Sequence, residues 1–340
     1  MPRSPVISVP EVSGPPAWRG ISHVHTVFSH DSKIRLKDAI KTAAELDLDY
    51  VLITDHGTID GRAAYQKMDK SAAPLLIFGV EISTADGHLL ALGVRENPPK
   101  TKDPRQLVAW IHSQGGYAVP AHALSSRTPW RNWDPALDGL EIYNFAHVFY
   151  LQNKFKLAAK SAFFTPGAFL RSAAEMPDGA FQRWDQELKK GPRAAFGGTD
   201  AHLHIKPLGL APESLILYFQ GVTMYALTEH LQEDEILRAL GSGQSYLALE
   251  AVAPARGFSF RAGQGDIMAG PGEKTILSPG MQIEIRLPEE GEIRLVHNGQ
   301  EIMRGKGRDL VYPVAQKGYY RTVIYQEGRI WIVSNPIYVE

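Results

Sequence analysis

The sequence predicts an α/β fold followed by an all-β segment. Three observations predict it. Strand-like and helix-like stretches alternate through the first 250 residues. The strand-like stretches repeatedly end on His, Asp or Glu. After about Pro254 the helical period disappears and period-two alternation replaces it. Repeated βα units argue for a parallel α/β architecture, either a barrel or an open sheet.

The elements follow in order. Residues 1–19 are rich in Pro, Ser and Val and read as an extended N-terminal arm. They lack the apolar core of a signal peptide. A helical stretch carries apolar residues at Leu36, Ile40, Ala43 and Leu46. Tyr50–Thr54 (YVLIT) reads as a buried strand, and Leu75–Ser83 and Leu89–Val94 as further strands. Asp103-Pro104 opens a helix by cap chemistry, and Gly115-Gly116 closes it. Tyr117–Ala121, Gly139–Tyr143 and Ala194–Gly197 repeat the strand pattern, and a last helix near Glu233–Leu240 leads into Gln244–Leu249. Beyond Pro254, Gln282–Leu287 alternates with period two. Asn298-Gly299 is a type I′ hairpin signal, and Glu327-Gly328 separates two more strands. Residues 254–340 therefore read as a small all-β sandwich appended to a unit spanning 20–253.

Composition narrows the chemistry. The 340 residues are 44% hydrophobic and 21% charged, ordinary for a globular protein. The net charge of −1 gives no footprint for nucleic acid or an anionic membrane. The absence of cysteine excludes disulfides, thiolate metal sites and cysteine nucleophiles. Any metal must be held by imidazole and carboxylate. No apolar run is long enough to span a bilayer, and the compartment stays open between cytoplasm and periplasm.

Ten of the twelve histidines precede residue 205, and their places matter more than their number. His23-x-His25 follows Gly20-Ile21. Asp55-His56 ends YVLIT, Glu81 lies near the end of LLIFGV, and His122 ends YAVPA. Asp200 and His202 follow AAFGG. Residues i and i+2 of a strand point to one face, so His23 and His25 can present two imidazoles to one ion at about 2.0–2.1 Å. A carboxylate such as Glu81 can bridge two ions about 3.5–4 Å apart. Each of these residues alone has a structural explanation. Five strand ends delivering such side chains together do not. An all-N/O set suits Zn, Mn or Fe.

The segments HVHTVFSHDS (His23–Ser32), LITDH, GVEIS, AH (Ala121-His122) and GGTDAH (Gly197–His202) resemble the PHP family, named for polymerase and histidinol phosphatase. The resemblance covers roughly residues 20–250. It implies a distorted (β/α)7 TIM-like barrel with two or three divalent ions at its strand ends. The C-terminal segment with SNPIYV also resembles a branch containing a carbaryl-type carbamate hydrolase. Carried over, the resemblance implies that His23, His25, Glu81 and Asp200 hold one ion, and Glu81 and His122 a second. His56 and His202 would hold a third, with Asp31 preferred over His30 as its completing ligand. His88 would be a second-ion ligand or a substrate contact.

The function expected is metal-assisted hydrolysis, first of a small phosphate ester. The alternatives are hydrolysis of a carbamate, amide or carboxyl ester, or a metal-containing binding protein without turnover. Asp200 could accept a proton from the attacking water, and His202 or His88 could protonate the leaving group. Asp55 would orient a ligating histidine. Arg127 and Arg131, in the loop after His122, would clamp an anionic substrate, whereas Trp130 and Trp133 beside them would suit an apolar ring. Glu141, Asn144 and His147 would shape the pocket. The expected partner is a small molecule, with no nucleic acid or membrane, and homo-oligomerisation is left open.

Overall fold

Tyr50–His56 (β2) shows why the sequence pattern reads as it does. It is β-branched and apolar through Ile53, and every residue but His56 is buried. A strand of this kind is covered on both faces. Its neighbours Ala17–Val24 (β1) and Leu75–Thr84 (β3) pair with it in parallel. The computed structural model describes residues 14–68, 74–134, 136–151, 166–172, 174–203, 215–265 and 267–340. Most of the arm read over residues 1–19 lies outside these, and β1 begins at Ala17 within it.

Between β1 and β2 runs the helix Leu36–Glu45 (α1), which buries Leu36, Ala39, Thr42 and Ala43. Ile40 and Leu46 pack at the edge of that stripe. The helix ends before Asp47, whose left-handed φ of 53° turns the chain into β2. Pro104–Ser113 (α2) begins where cap chemistry predicts, with the Asp103 carboxylate accepting from the Arg105 N–H.

The sheet is not wholly parallel, contrary to the βα pattern. Gly87–Leu92 (β4) pairs antiparallel with β3 and with Tyr117–Pro120 (β5). Only Ala85 and Asp86 separate β3 from β4, and so short a connection can join only antiparallel strands. Gly139–Asn144 (β6) and Ala194–Gly198 (β7) form a separate parallel pair. Backbone bonds tie that pair to both sides of the main sheet. Asp138 N–H donates to Ala118 C=O, and Thr199 N–H donates to Ser22 C=O. Thr223–Leu227 (β8) then pairs antiparallel with β1, and Ser245–Ala248 (β9) with β8.

No helix follows β9 among the described residues. Ser259–Gln264 (β10), Ile267–Ala269 (β11) and Lys274–Thr275 (β12) precede a long hairpin of Gln282–His297 (β13) and Gln300–Pro313 (β14). Gly318–Gln326 (β15), Arg329–Ser334 (β16) and Ile337–Val339 (β17) complete the chain. Both hairpin signals fold as turns with positive φ at two successive residues, Asn298-Gly299 and Glu327-Gly328. Strand pairing does not set this segment apart, because β16 pairs with β9 and one fifteen-stranded sheet runs through both halves. The buried amide of Asn335 strengthens that continuity. Its oxygen accepts the Ala195 N–H of β7 at 2.7 Å, and its nitrogen donates to Ser245 of β9. None of the described helices is long and apolar enough to cross a membrane.

Candidate metal centre

His23 and His25 leave β1 where its register against β2 shifts between Ile21 and Val24. His23 takes a left-handed backbone, φ 62°. Simple strand alternation therefore does not aim the pair; the irregularity does. The imidazoles still converge, with His23 Nε2 3.2 Å and His25 Nε2 3.0 Å from Glu81 Oε2. Asp200 Oδ1 lies 3.4 and 3.5 Å from the same two nitrogens. Asp200 arrives because the chain beyond β7 runs beside the end of β1. His25 N–H donates to Ala201 C=O at 3.1 Å, and Ala201 N–H to His23 C=O at 3.3 Å.

The other oxygen of Glu81 faces a different pair. His88 Nδ1 lies 2.7 Å and His122 Nε2 3.2 Å from Oε1. The β3–β4 hairpin delivers His88 by placing it opposite Ser83, two residues beyond Glu81. On the opposite flank, Asp31 Oδ2 lies 3.3 Å from both His56 Nε2 and His202 Nε2. His25 stacks on His202 with ring centroids 3.9 Å apart. The ligand atoms of His23, His25, Glu81 and Asp200 all lie within 4.8 Å of one another. So do those of His25, Asp31, His56 and His202, and those of His56, Glu81 and His88.

This donor set fits divalent ions. Ligand atoms about 2.0–2.1 Å from a tetrahedral ion stand about 3.3–3.4 Å apart, and the carboxylate-to-imidazole separations given above run from 2.7 to 3.5 Å. His25 Nε2, Asp31 Oδ1 and His56 Nδ1 are buried without a hydrogen-bond partner among the described residues. Buried polar atoms are otherwise nearly always satisfied. His23, His122 and Asp200 all adopt positive φ. A non-glycine residue held there costs about 1–3 kcal/mol, which marks backbone held in place by its surroundings.

Electrostatics are mixed across the cluster. Burial alone would lower the pKa of His23, but Glu141, Asp200 and Glu81 outweigh it and hold the imidazolium well above its ordinary range. Burial takes His25 down to about 3, with His202 and His23 repelling its proton against the pull of Glu81. Burial opposes ionisation of Glu81, yet His23, His122 and His25 hold it well below the usual carboxylate range. Asp31 is likewise lowered, burial being outweighed by His202, His56 and His25. Ionised carboxylates thus coexist with an imidazole, His25, kept neutral and able to ligate.

An outer layer orients the imidazoles. His23 Nδ1 donates to Glu141 Oε1 at 2.9 Å. His25 Nδ1 lies 3.2 Å from Ser29 Oγ, His122 Nδ1 3.2 Å from Thr128 Oγ1, and His202 Nδ1 donates to the Asp200 carbonyl at 3.0 Å. Ser29 and Thr128 carried no sequence signal that separates them from ordinary loop residues. Glu141 did carry one, as the single charge in the buried strand GLEIYN.

Several expected residues lie elsewhere. Asp55 does not orient a histidine in the way the sequence suggested; its carboxylate accepts the Thr26 N–H at 2.5 Å and the Thr26 hydroxyl at 2.7 Å. Burial raises its pKa to about 6 against those two bonds. Arg131 is exposed, and among the described residues its backbone N–H donates to the Asp86 carbonyl. The His30 side chain is 78% exposed against 30% for Asp31. Three histidines outside the motifs lie away from the cluster: His112 on α2 bonds Asp138, His230 bonds Glu235, and His297 stacks on Tyr320. His204 lies outside the described residues.

A cavity of about 410 Å³ opens over the cluster. Its lining includes Asp31, His88, His122, Asp200 and His202 of the cluster together with Ser125, Arg127, Thr128, His147 and Tyr218. Neither Trp130 nor Trp133 lines it. The Trp130 ring N–H donates to the Asn132 carbonyl, and Arg183 stacks on Trp133.

Comparison with known proteins gives this geometry a family. The PHP domain model matches residues 22–154. An uncharacterised protein of Methanocaldococcus jannaschii is 31% identical over 138 residues, covering 37% of this chain and 81% of that protein. The chain belongs to the PHP family. The PHP match takes in His23, His25, Asp31, His56, Glu81, His88 and His122, and stops short of Asp200 and His202. The fold adds those two by laying the end of β7 against β1. A crystal structure from Bifidobacterium adolescentis, of a protein provisionally named a metal-dependent phosphoesterase, is 18% identical with a TM-score of 0.41. The alignment covers 66% of this chain and 96% of that one.

Proposed function

We propose that this PHP protein is a metal-dependent hydrolase acting on a small phosphate ester. The observation that carries the reading is the cluster itself. Glu81 turns one oxygen toward His23 and His25 and the other toward His88 and His122, beside an open cavity. His23, His25, Glu81 and Asp200 would hold one divalent ion. Glu81, His88 and His122 would hold a second, and Asp31, His56 and His202 a third. When bound, such ions supply a water of lowered pKa and neutralise charge on the attacked group.

The chain's own residues divide the remaining work. Asp200, partly exposed at the cavity floor, accepts the proton of the attacking water. Arg127 on the cavity wall offers a planar guanidinium to two oxygens of one phosphate. His147 lines the same cavity and its ring makes no hydrogen bond or ion pair among the described residues, so leaving-group protonation falls to it more readily than to His88 or His202, which face Glu81 and Asp31. Phosphate is favoured over a carbamate because an arginine, and neither tryptophan of that loop, lines the cavity. We also read β1 to β7 as the distorted (β/α)7 barrel of the family. The backbone bonds joining the β6–β7 pair to Ala118 and Ser22 support a ring. The division at 20–253 and 254–340 rests on the loss of helices after β9.

The test is turnover of p-nitrophenyl phosphate, bis-p-nitrophenyl phosphate and a naphthyl carbamate by metal-supplemented protein, with Asp200→Asn as control. Phosphate-ester hydrolysis that the control loses is expected. Turnover of the carbamate alone, or equal rates in both proteins, would overturn the reading.

A further inference from the structure

Glu141 is a buried carboxylate, 2% exposed, that touches two imidazole-bearing segments at once. Its Oε1 accepts from His23 Nδ1 at 2.9 Å. Its Oε2 accepts the backbone N–H of His122 and the Asn144 side-chain amide, the latter at 2.9 Å. The room for it is reserved in the backbone of β7. A Cβ on Gly198 would stand 1.7 Å from Glu141 Oε1 and 2.9 Å from the Cβ of His23, distances no real side chain tolerates. Gly198 is therefore fixed by close approach rather than by turn geometry.

We propose that Glu141 is a positioning residue that aligns two adjacent ion positions through one carboxylate. The first position uses His23, and the second uses His122. At His23 the carboxylate accepts the Nδ1 proton, so the nitrogen facing Glu81 and Asp200 is Nε2, where an ion would replace the second proton. At His122 it holds the backbone in its left-handed conformation, φ 31°, from which the imidazole reaches Glu81 Oε1. A carboxylate that merely needed satisfying would have no reason to join these two segments. The inference rests on the metal-centre reading above.

The chemistry predicts a specific failure for Glu141→Gln. Two donors, the His122 N–H and the Asn144 amide, hold an oxygen at the Oε2 position. The amide nitrogen of the glutamine must then face His23 Nδ1 and donate to it. That bond selects the His23 tautomer with its proton on Nε2, which cannot ligate. The variant is isosteric, so the fold is expected to survive.

The test is titration of metal-free protein with Co2+, read by calorimetry and by the visible ligand-field bands. Wild type binding two or more equivalents establishes the centre; binding less than one would sink the centre itself and this inference with it. Glu141→Gln is expected to weaken the site that uses His23 by about 10–100-fold, the range found when outer partners of ligands are lost, and through the shared Glu81 the site that uses His122 as well. The site formed by Asp31, His56 and His202 should keep its affinity. Wild-type titration by Glu141→Gln overturns the proposal, and so does equal weakening of all sites. Should that variant fail to fold, Asn144→Ala decides. Loss at the same two sites supports the alignment, and unchanged binding overturns it.

Discussion

The rings of His25 and His202 stack 3.9 Å apart and 20° from parallel. This contact joins two groups of ligand atoms that share His25. One group lies at the end of β1, within β3 and just after β7. The other lies at the end of β2 and on the loops after β1 and β7. The shared imidazole sets two ion positions side by side while leaving each its own remaining ligands, which makes the cluster testable position by position.

Purified protein is expected to carry two or three divalent ions per chain by elemental analysis after growth in supplemented medium. Chelation should lower the melting temperature, and adding the ion back should restore it, because ligands of the folded state stabilise it by mass action. A chain holding less than one ion, with a melting point indifferent to chelator, would count against the centre.

Asp31 and His30 should part company. Asp31→Asn is expected to lower metal content by about one ion per chain, since Asp31 Oδ2 faces His56 and His202. His30→Asn, at an exposed position, should leave the content unchanged. The reverse result would place His30 in the cluster. Elemental analysis of the two variants side by side checks this.

Arg127→Ala should raise KM for a phosphate ester more than it lowers kcat. Losing a hydrogen bond to a charged group costs about 1.5–3 kcal/mol, or roughly 10–150-fold in kcat/KM. Hydrolysis of an uncharged ester, if any, should be insensitive. Arg131→Ala should behave as wild type, because Arg131 does not line the cavity. Steady-state kinetics on both variants decides.

Asn335→Leu should destabilise the whole chain rather than its last strands alone. It leaves the buried Ala195 N–H of β7 without its partner, at about 1–3 kcal/mol for that unsatisfied group, and takes a donor from the Ser245 hydroxyl. A single unfolding transition shifted to lower urea is expected. Two separated transitions would mean that the C-terminal strands unfold independently despite the β9–β16 pairing.

The sequence by itself determined the elements and the residue types of the site. A continuous apolar run located β2, the period-3.6 pattern α1 and the turn dipeptide the Asn298-Gly299 hairpin, because each reflects local backbone geometry and burial. His23, His25, His56, Glu81, His122 and Asp200 were legible because strand ends can be found without knowing how strands pair. Tertiary structure alone decided which of them meet. It turned β4 antiparallel and so brought His88 to Glu81. It bent His23 into a left-handed backbone, sent Asp55 to Thr26, and kept Arg131 off the cavity. It also brought Glu141 to His23, 118 residues away in sequence. These outcomes depend on strand register, backbone irregularities and close approaches such as that at Gly198, which long-range packing fixes and local pattern does not encode.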